Sequence, residues 1–524
     1  MVKPEKTFTF FIFILLFLGI LTLIYPKSGI KIGNDITLHF PDLKDFITES
    51  FVQTHTTEDS SKAIFTADNA LTLIESDTLQ YENPPADTTA QITDTEVFVP
   101  RAITTDSLRQ ALDLPASGLE CLSNLFNSLI DAKELQKIVR IVHYGDSQIE
   151  TDRITNYLRY KLQQQFGGSG PGLVPAKTAY DYKSPCEVKN IGKWKRYTIF
   201  PNIDTAVKHS KYGVLGAFCT FGSLRQIKEK NEVSADSLFQ LDSLTVVSKI
   251  AEEIKPKDTL NAALKFIPST LRKNLKDIKK CRLFYGNTDQ KCNVKVLDLD
   301  QVIFNEDLKP TDFYTYKTFN FETSPTDLKF EFSSLQSPEI YGFALDGHSG
   351  VAVDNVALRG CSGTIFTKIN AKMLAQMYND LNVKCVILQF GGNAVPYMTQ
   401  EKLGGFKSAF ASQIRYIKKL CPKMSIIVVG PADMSTKDGD KYKTYDILPP
   451  LVDALKSAAL SNGCAFWNMY EAMGGENTMP DWVYHEPQLA EKDFVHFTPN
   501  GANIMARMLY TAIISRYNEF LRKK

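Results

Sequence analysis

Three nearly continuous apolar runs constrain this chain more than any other feature: KIVRIVHYG at Lys137–Gly145, NVKCVILQFGG at Asn382–Gly392 and KMSIIVVGP at Lys423–Pro431. A strand that is apolar at almost every position is buried on both faces, which requires a parallel sheet with helices on either side. The neighbouring segments have the period of such helices. TDRITNYLRYKLQQQFGG sets Ile154, Leu158, Leu162 and Phe166 four apart and ends in glycine, and EKLGGFKSAFASQIRYIKKL separates the second run from the third. Further on, CAFWNM precedes a last helical segment. The expected fold class is α/β, a three-layer αβα domain whose ligand site lies beyond the carboxyl ends of its parallel strands.

The middle of the chain obeys another rule. From Lys183 to Gly347 short alternating stretches, CRLFYG, CNVKVLDL, YKTFNF and LKFEFSS, recur between polar turns, the pattern of half-buried antiparallel strands. The α/β domain is therefore split, with residues 105–182 as its first part, 346–524 as its second, and 183–345 as an inserted, mostly β, sandwich-like domain. Within the insert, Ser234–Lys279 has helix-like spacing and several lysines. Nine cysteines without a CxxC pair form neither a metal framework nor a complete disulfide set. Cys281 and Cys292 are placed either to bridge a hairpin or to lie as buried thiols.

At the other end of the chain, Thr7–Tyr25 runs 19 residues without a charge, close to the roughly 20 that cross a bilayer as a helix. The run ends in Leu23, Ile24, Tyr25 and Pro26 rather than in small residues, so residues 1–27 are read as an uncleaved transmembrane anchor. Residues 28–104 follow as a flexible stalk, rich in stretches such as TTEDSSKA and ENPPADTTAQITDTE that bury too little apolar surface to order themselves. With 60 basic and 59 acidic residues the net charge is +1, which excludes the field that would concentrate the chain on nucleic acid.

Chemistry concentrates in four places. Gly145-Asp146-Ser147 follows the first strand and precedes a helix, which exposes Ser147 as a nucleophile does. EKDFVHFTPNG puts Asp493 three residues before His496, just ahead of the last helix, so one short loop supplies a base and the carboxylate that orients it. Gly360 in RGCSGTIF offers a backbone N–H after a strand end, and Asn393 in QFGGNAVPY a side-chain amide, both suited to an oxyanion hole. Taken singly, each of the four is a common turn or cap. GGSGPG follows a helix and lacks the Lys-Ser/Thr of a phosphate loop, and His143, Asp146, Asp493 and His496 do not make a convincing metal set.

Their order is what carries weight. GDS after strand one, RGCSG, strand-GGN, and DFVH before the last helix resemble the blocks of the SGNH hydrolases, the GDSL-like lipases and acylhydrolases. The resemblance implies Ser147 as nucleophile, Asp493 and His496 as its partners, and an oxyanion hole from Ser147, Gly360 and Asn393, with no cofactor and no metal. Two departures stand out: Gln148 occupies a place where many members have Leu or His, and block three reads Gly-Gly-Asn-Ala. RIVHYGDSQIETDRITNYLRYKLQQQFGGSGPGLVPA, with a β insertion before DGHSGVAVDNVALRG, is similar to the branch that includes bacterial peptidoglycan O-acetylesterases, whose insert is carbohydrate-binding-like.

By that resemblance the chain is expected to be a single-pass protein of the bacterial inner membrane whose outward-facing esterase domain removes acetyl or other small acyl groups from a cell-wall polysaccharide or exopolysaccharide. Two alternatives stay open: an O-acetyltransferase that hands the acyl group to a sugar hydroxyl, and a noncatalytic glycan-binding factor.

Overall fold

The computed structural model describes residues 30–31, 37–38, 110–132, 137–224 and 259–524. The membrane run Thr7–Tyr25 and nearly all of the predicted stalk lie outside the described residues. Among the described residues no helix is long and apolar enough to cross a membrane. Within the residues read as a stalk, β1 (Ile30–Lys31) pairs antiparallel with β2 (Thr37–Leu38).

Helix α1 (Ser123–Asp131) leads to β3 (Ile138–Gly145), α2 (Thr155–Phe166) and β4 (Gly172–Val174). A long all-β stretch follows: β5 (Cys186–Ile191), β6 (Lys195–Thr198), β7 (Ala217–Thr220), β8 (Leu260–Pro268), β9 (Lys280–Thr288), β10 (Cys292–Asp298), β11 (Gln301–Leu308), β12 (Thr311–Asn320), β13 (Leu328–Ser334) and β14 (Glu339–Asp346). The α/β rhythm returns with β15 (Gly350–Ala357), α3 (Ala371–Asp380), β16 (Val383–Gln389), α4 (Gln400–Leu420), β17 (Ser425–Val429) and a small hairpin of β18 (Ser435–Asp438) and β19 (Lys441–Thr444). Then come α5 (Leu448–Ser461), β20 (Ala465–Trp467), the short helices α6 (Met469–Met473) and α7 (Met479–Val483), and α8 (Pro499–Lys523).

Five strands form the expected parallel sheet, in the order β15-β3-β16-β17-β20. Its strands are mostly apolar because both faces are covered. Val139 and Ile141 of β3, with Cys385 and Ile387 of β16, pack among residues of α1, α2 and α8, while Val142, Tyr144, Val386 and Leu388 pack among those of α3, α4 and α5. The four-residue spacing of α2 works as read: Ile154, Leu158, Leu162 and Phe166 are all buried against this core.

The inserted strands make two antiparallel sheets, β11-β10-β13-β8-β5 and β12-β9-β14-β7-β6, with β4 added alongside β14. The β layer therefore takes its first strand at Gly172. Trp194, Phe266, Phe330 and Phe343 are buried together between the sheets, with the rings of Phe266 and Phe343 4.9 Å apart. The helical spacing read over Ser234–Lys279 is corrected from Leu260 onward: β8 is a strand between β13 and β5. Leu264 and Phe266, two apart, reach the sandwich core, and that contact overrides the local spacing. Residues 225–258 lie outside the described residues. Cys281 and Cys292 are both free thiols, buried in the sandwich core, and burial pushes Cys292 up to about 12.

Two polar groups sit inside this apolar frame. Arg140 of β3, fully buried, reaches Asp354 of β15 at 2.6 Å and both oxygens of Asp346, at the end of β14, at 2.6 and 2.7 Å. Arg282 of β9 approaches Asp346 at 3.5 Å, and the Leu173 N–H donates to Asp354 at 2.8 Å. His143, three residues along β3, lies fully buried with Thr155 Oγ1 3.0 Å from Nδ1 and Gln389 Oε1 3.1 Å from Nε2.

Truncating one partner of a buried ion pair leaves the others unmatched in a low dielectric, at a cost of about 3–5 kcal/mol. Arg140→Met is expected to lower stability by that amount in equilibrium unfolding, whereas exchange of an exposed pair such as Lys195–Asp204 should leave it nearly unchanged. Burial also pulls the His143 imidazole down to about 3. An unfolded chain binds that proton below about 6.5, so the stability contributed by neutral His143 is complete above pH 6.5 and is lost as pH falls toward 3. Melting temperature measured against pH should decline across that window, and His143→Gln should flatten the decline.

Candidate active site

Ser147 opens a 3-10 turn, Ser147–Asp152, at the carboxyl end of β3. Gly145 makes the exit possible, since a Cβ there would lie 2.9 Å from Ile149 and 3.0 Å from the Gln389 carbonyl. Asp146 caps the turn by accepting the Gln148 N–H at 3.0 Å. His496 arrives from the loop before α8. Asp493 shapes that loop, its Oδ1 accepting the N–H groups of Val495 and His496, each at 2.9 Å.

The three predicted groups meet in a line. Asp493 Oδ2 is 2.7 Å from His496 Nδ1, and His496 Nε2 is 2.8 Å from Ser147 Oγ. A carboxylate only accepts, so Nδ1 carries the proton and Nε2 accepts the serine hydroxyl. Burial pushes the Asp493 carboxyl up, but the His496 ring and the two N–H donors outweigh it and hold the group down at about 2. Asp493 is thus ionised wherever the imidazole needs an anion beside it.

Gln148, one of the departures noted in the sequence, ties the two loops together. Its amide donates to the Val495 carbonyl at 2.5 Å and accepts the Phe497 N–H at 3.4 Å, so it grips the chain on both sides of His496. Arg153 does the same from below, donating to the carbonyls of Ser147 at 2.9 Å and Phe497 at 3.2 Å. Between Asp493 and Val495, Phe494 takes a left-handed backbone (φ 58°), a conformation costly for a bulky residue. The Tyr442 ring of β19 stacks on the Phe494 ring at 3.6 Å and 10°, and the Phe494 carbonyl accepts the Ser435 N–H at 3.1 Å.

Asn393 and Ser147 line one cleft of about 210 Å³, with Asp146, Gln389, Met434 and His496. Asn393 donates to the Cys361 carbonyl at 3.3 Å and to the Asp146 carboxylate. Burial raises Asp146 to about 6, partly offset by the Gln148 N–H, His496 and Asn393. Tyr397, 78% exposed, stands among the lining residues. Gly360, the other expected donor, follows β15 with φ 80° and is exposed, and it does not line this cleft. Its neighbour Arg359 pairs with the carboxylate of Glu150, three residues beyond Ser147. His348 is exposed and His485 half-buried, and neither lines the cleft.

Sequence reasoning missed Gln148, Tyr442 and the Glu150–Arg359 pair. The departure at Gln148 was a visible signal, because an amide that can both donate and accept in place of an apolar side chain must find partners. Nothing local marked Tyr442, whose importance lies in the ring it covers.

No family model and no curated protein matches the chain. Among solved structures, one described as a peptidoglycan O-acetylesterase is 17% identical, with a TM-score of 0.57 over 76% of this chain and 97% of the other. An acetyl-xylooligosaccharide esterase from Geobacillus Stearmophilus is 19% identical over 31% of this chain and 73% of its own, with a TM-score of 0.25. A family two carbohydrate esterase from Cellvibrio japonicus is 11% identical over 51% and 93%, with a TM-score of 0.23. The first of these shares the fold of this chain.

Stacked rings contribute about 0.5–1.5 kcal/mol beyond their buried area, enough to change the population of an ordered loop roughly tenfold. Tyr442→Ala should therefore lower kcat on a small ester up to about tenfold with little change in KM, and Tyr442→Phe should restore it, as measured by steady-state kinetics.

Proposed function

We propose that this chain is a serine esterase that removes acetyl-sized acyl groups from a cell-envelope polysaccharide, peptidoglycan foremost. The observation that carries the reading is the line Asp493–His496–Ser147, with both contacts at hydrogen-bond distance and the carboxylate held ionised. Ser147 Oγ attacks the ester carbonyl while its proton passes to His496 Nε2, and Asp493 stabilises the imidazolium. The Ser147 N–H serves the developing oxyanion, joined by the Asn393 amide once it turns one N–H away from the Cys361 carbonyl or the Asp146 carboxylate, with the Gly360 N–H as the third donor the family resemblance implies. Collapse of the tetrahedral intermediate breaks the bond to the sugar oxygen, which leaves with the proton from His496. Water then repeats the sequence on the acyl-serine, giving the free acid.

Two further facts support the substrate. A cleft of about 210 Å³ is smaller than the roughly 300–1,000 Å³ of drug-sized sites, which suits a two-carbon acyl group. The solved structure of like fold is described as a peptidoglycan O-acetylesterase. The uncharged run Thr7–Tyr25 supports a membrane tether that presents the enzyme to polymer outside the cytoplasm.

The parent chain should release acetate from O-acetylated peptidoglycan, and Ser147→Ala should lower the rate at least about a thousandfold. Acetate release that is equal in parent and variant would sink the serine mechanism.

A further inference from the structure

A second cavity, of about 80 Å³, opens beside the catalytic turn, between the end of β15 and the segment that enters the β sandwich. Thr151 and Asp152 of the turn, Asn355 at the end of β15, and Tyr182 and Ser184 of the entering segment form its walls, and Arg196 of β6 lines it. Arg196 Nε is buried without a hydrogen-bond partner, and no carboxylate pairs with its guanidinium among the described residues. Burial holds its pKa below the ordinary arginine value.

The acids nearby are already taken. Asp152 is bound by Arg159 at 2.5 and 3.0 Å and accepts from Ser184 Oγ at 3.2 Å. Glu150 is held by Arg359 and accepts the Tyr182 hydroxyl at 2.5 Å. One positive charge is left over, its side chain half-buried with Nε enclosed and unpaired, at the wall of this cavity. Guanidinium has a planar fork suited to a carboxylate.

We propose that the Arg196 cavity is an anion subsite that receives the carboxylate of an acidic sugar in the substrate glycan. The proposal rests on the esterase reading and narrows it: the favoured ester lies on or next to a sugar that carries a carboxylate. The cavity has room for a carboxylate and a few atoms beside it rather than for a whole ring, and its position next to the Ser147 turn lets one glycan occupy both sites. The carboxylate belongs either to a lactyl ether, as in muramic acid that carries no peptide, or to a uronic acid.

The test compares the full chain with Arg196→Gln and Arg196→Met. Both variants should raise KM about tenfold for at least one acidic substrate, peptide-free O-acetylated peptidoglycan glycan or acetylated glucuronoxylan oligosaccharides, and leave kinetics on acetylated xylan oligosaccharides without uronate, and on a neutral aryl acetate, unchanged. Equal losses on every substrate, or no loss on either acidic one, would overturn the subsite. Binding gives a readout that stands even if no ester is cleaved. By saturation-transfer NMR the parent should prefer N-acetylmuramic acid to N-acetylglucosamine, or glucuronic acid to glucose, and the variants should lose the preference. The acid that binds identifies the source, and absence of both preferences overturns the proposal. Removing an unmatched charge should leave the melting temperature of Arg196→Met equal to or above that of the parent. A fall in melting temperature together with loss on every substrate would mark Arg196 as structural.

Discussion

Arg140 has no exposed surface, yet it carries a full charge in the middle of an apolar strand, and much of the architecture follows from how that charge is met. Asp354 lies on the adjacent strand β15, and Asp346 ends the last strand of the sandwich. Arg282 supplies a second cation and the Leu173 N–H a further donor, so two guanidinium groups face two carboxylates with the first strand of the insert hydrogen-bonded in. Desolvating these groups is expensive, and the expense is recovered only when all of them assemble. The cluster therefore fixes where the chain leaves the parallel sheet and where it returns. It also fixes the register of β3 beside β15, whose carboxyl ends lead to Ser147 and Gly360.

The same logic of mutual satisfaction operates in the active site at smaller scale. Ser147 and His496 are 349 residues apart in sequence, and a single hydrogen bond between them would be a weak guarantee of geometry. Gln148 and Arg153 bond to the chain on either side of His496, so the Ser147 turn and the His496 loop are held as one unit. The left-handed Phe494 stores strain of about 1–3 kcal/mol, which the Tyr442 stack and the Ser435 hydrogen bond offset. The β18–β19 hairpin thus belongs to the site although it supplies no reacting atom.

Around the Ser147 turn charge is distributed unevenly. Glu150 and Asp152 are each engaged by an arginine and a hydroxyl, which keeps acidic groups from repelling an incoming anion. Arg196 has no such counterpart among the described residues, so one unmatched cation lies at the cavity beside the Ser147 turn. Two domains that share one buried ion cluster can also share one substrate, because the insert is held still relative to the serine.

Much of this was legible in the sequence. The apolar runs that become β3, β16 and β17, the spacing of Ile154, Leu158, Leu162 and Phe166, and the alternation of the sandwich strands are periodic signals, written in neighbouring residues. Ser147, and Asp493 three residues before His496, were visible for the same reason: a strand-end serine and a DxxH loop are local patterns. Other features gave no local sign. Arg140 read as one polar residue in a strand, residues from Leu260 read as helix until Leu264 and Phe266 met the sandwich core, and Gln148 read as a departure although it is a clamp. The sequence by itself determined which segments are strands and helices and which residues are fit for acyl transfer, because periodicity and side-chain chemistry are properties of short stretches. Only the tertiary structure decided which charges are matched, which ring supports Phe494 and which arginine is left facing a cavity, because those outcomes depend on distances between residues that the chain brings together only on folding.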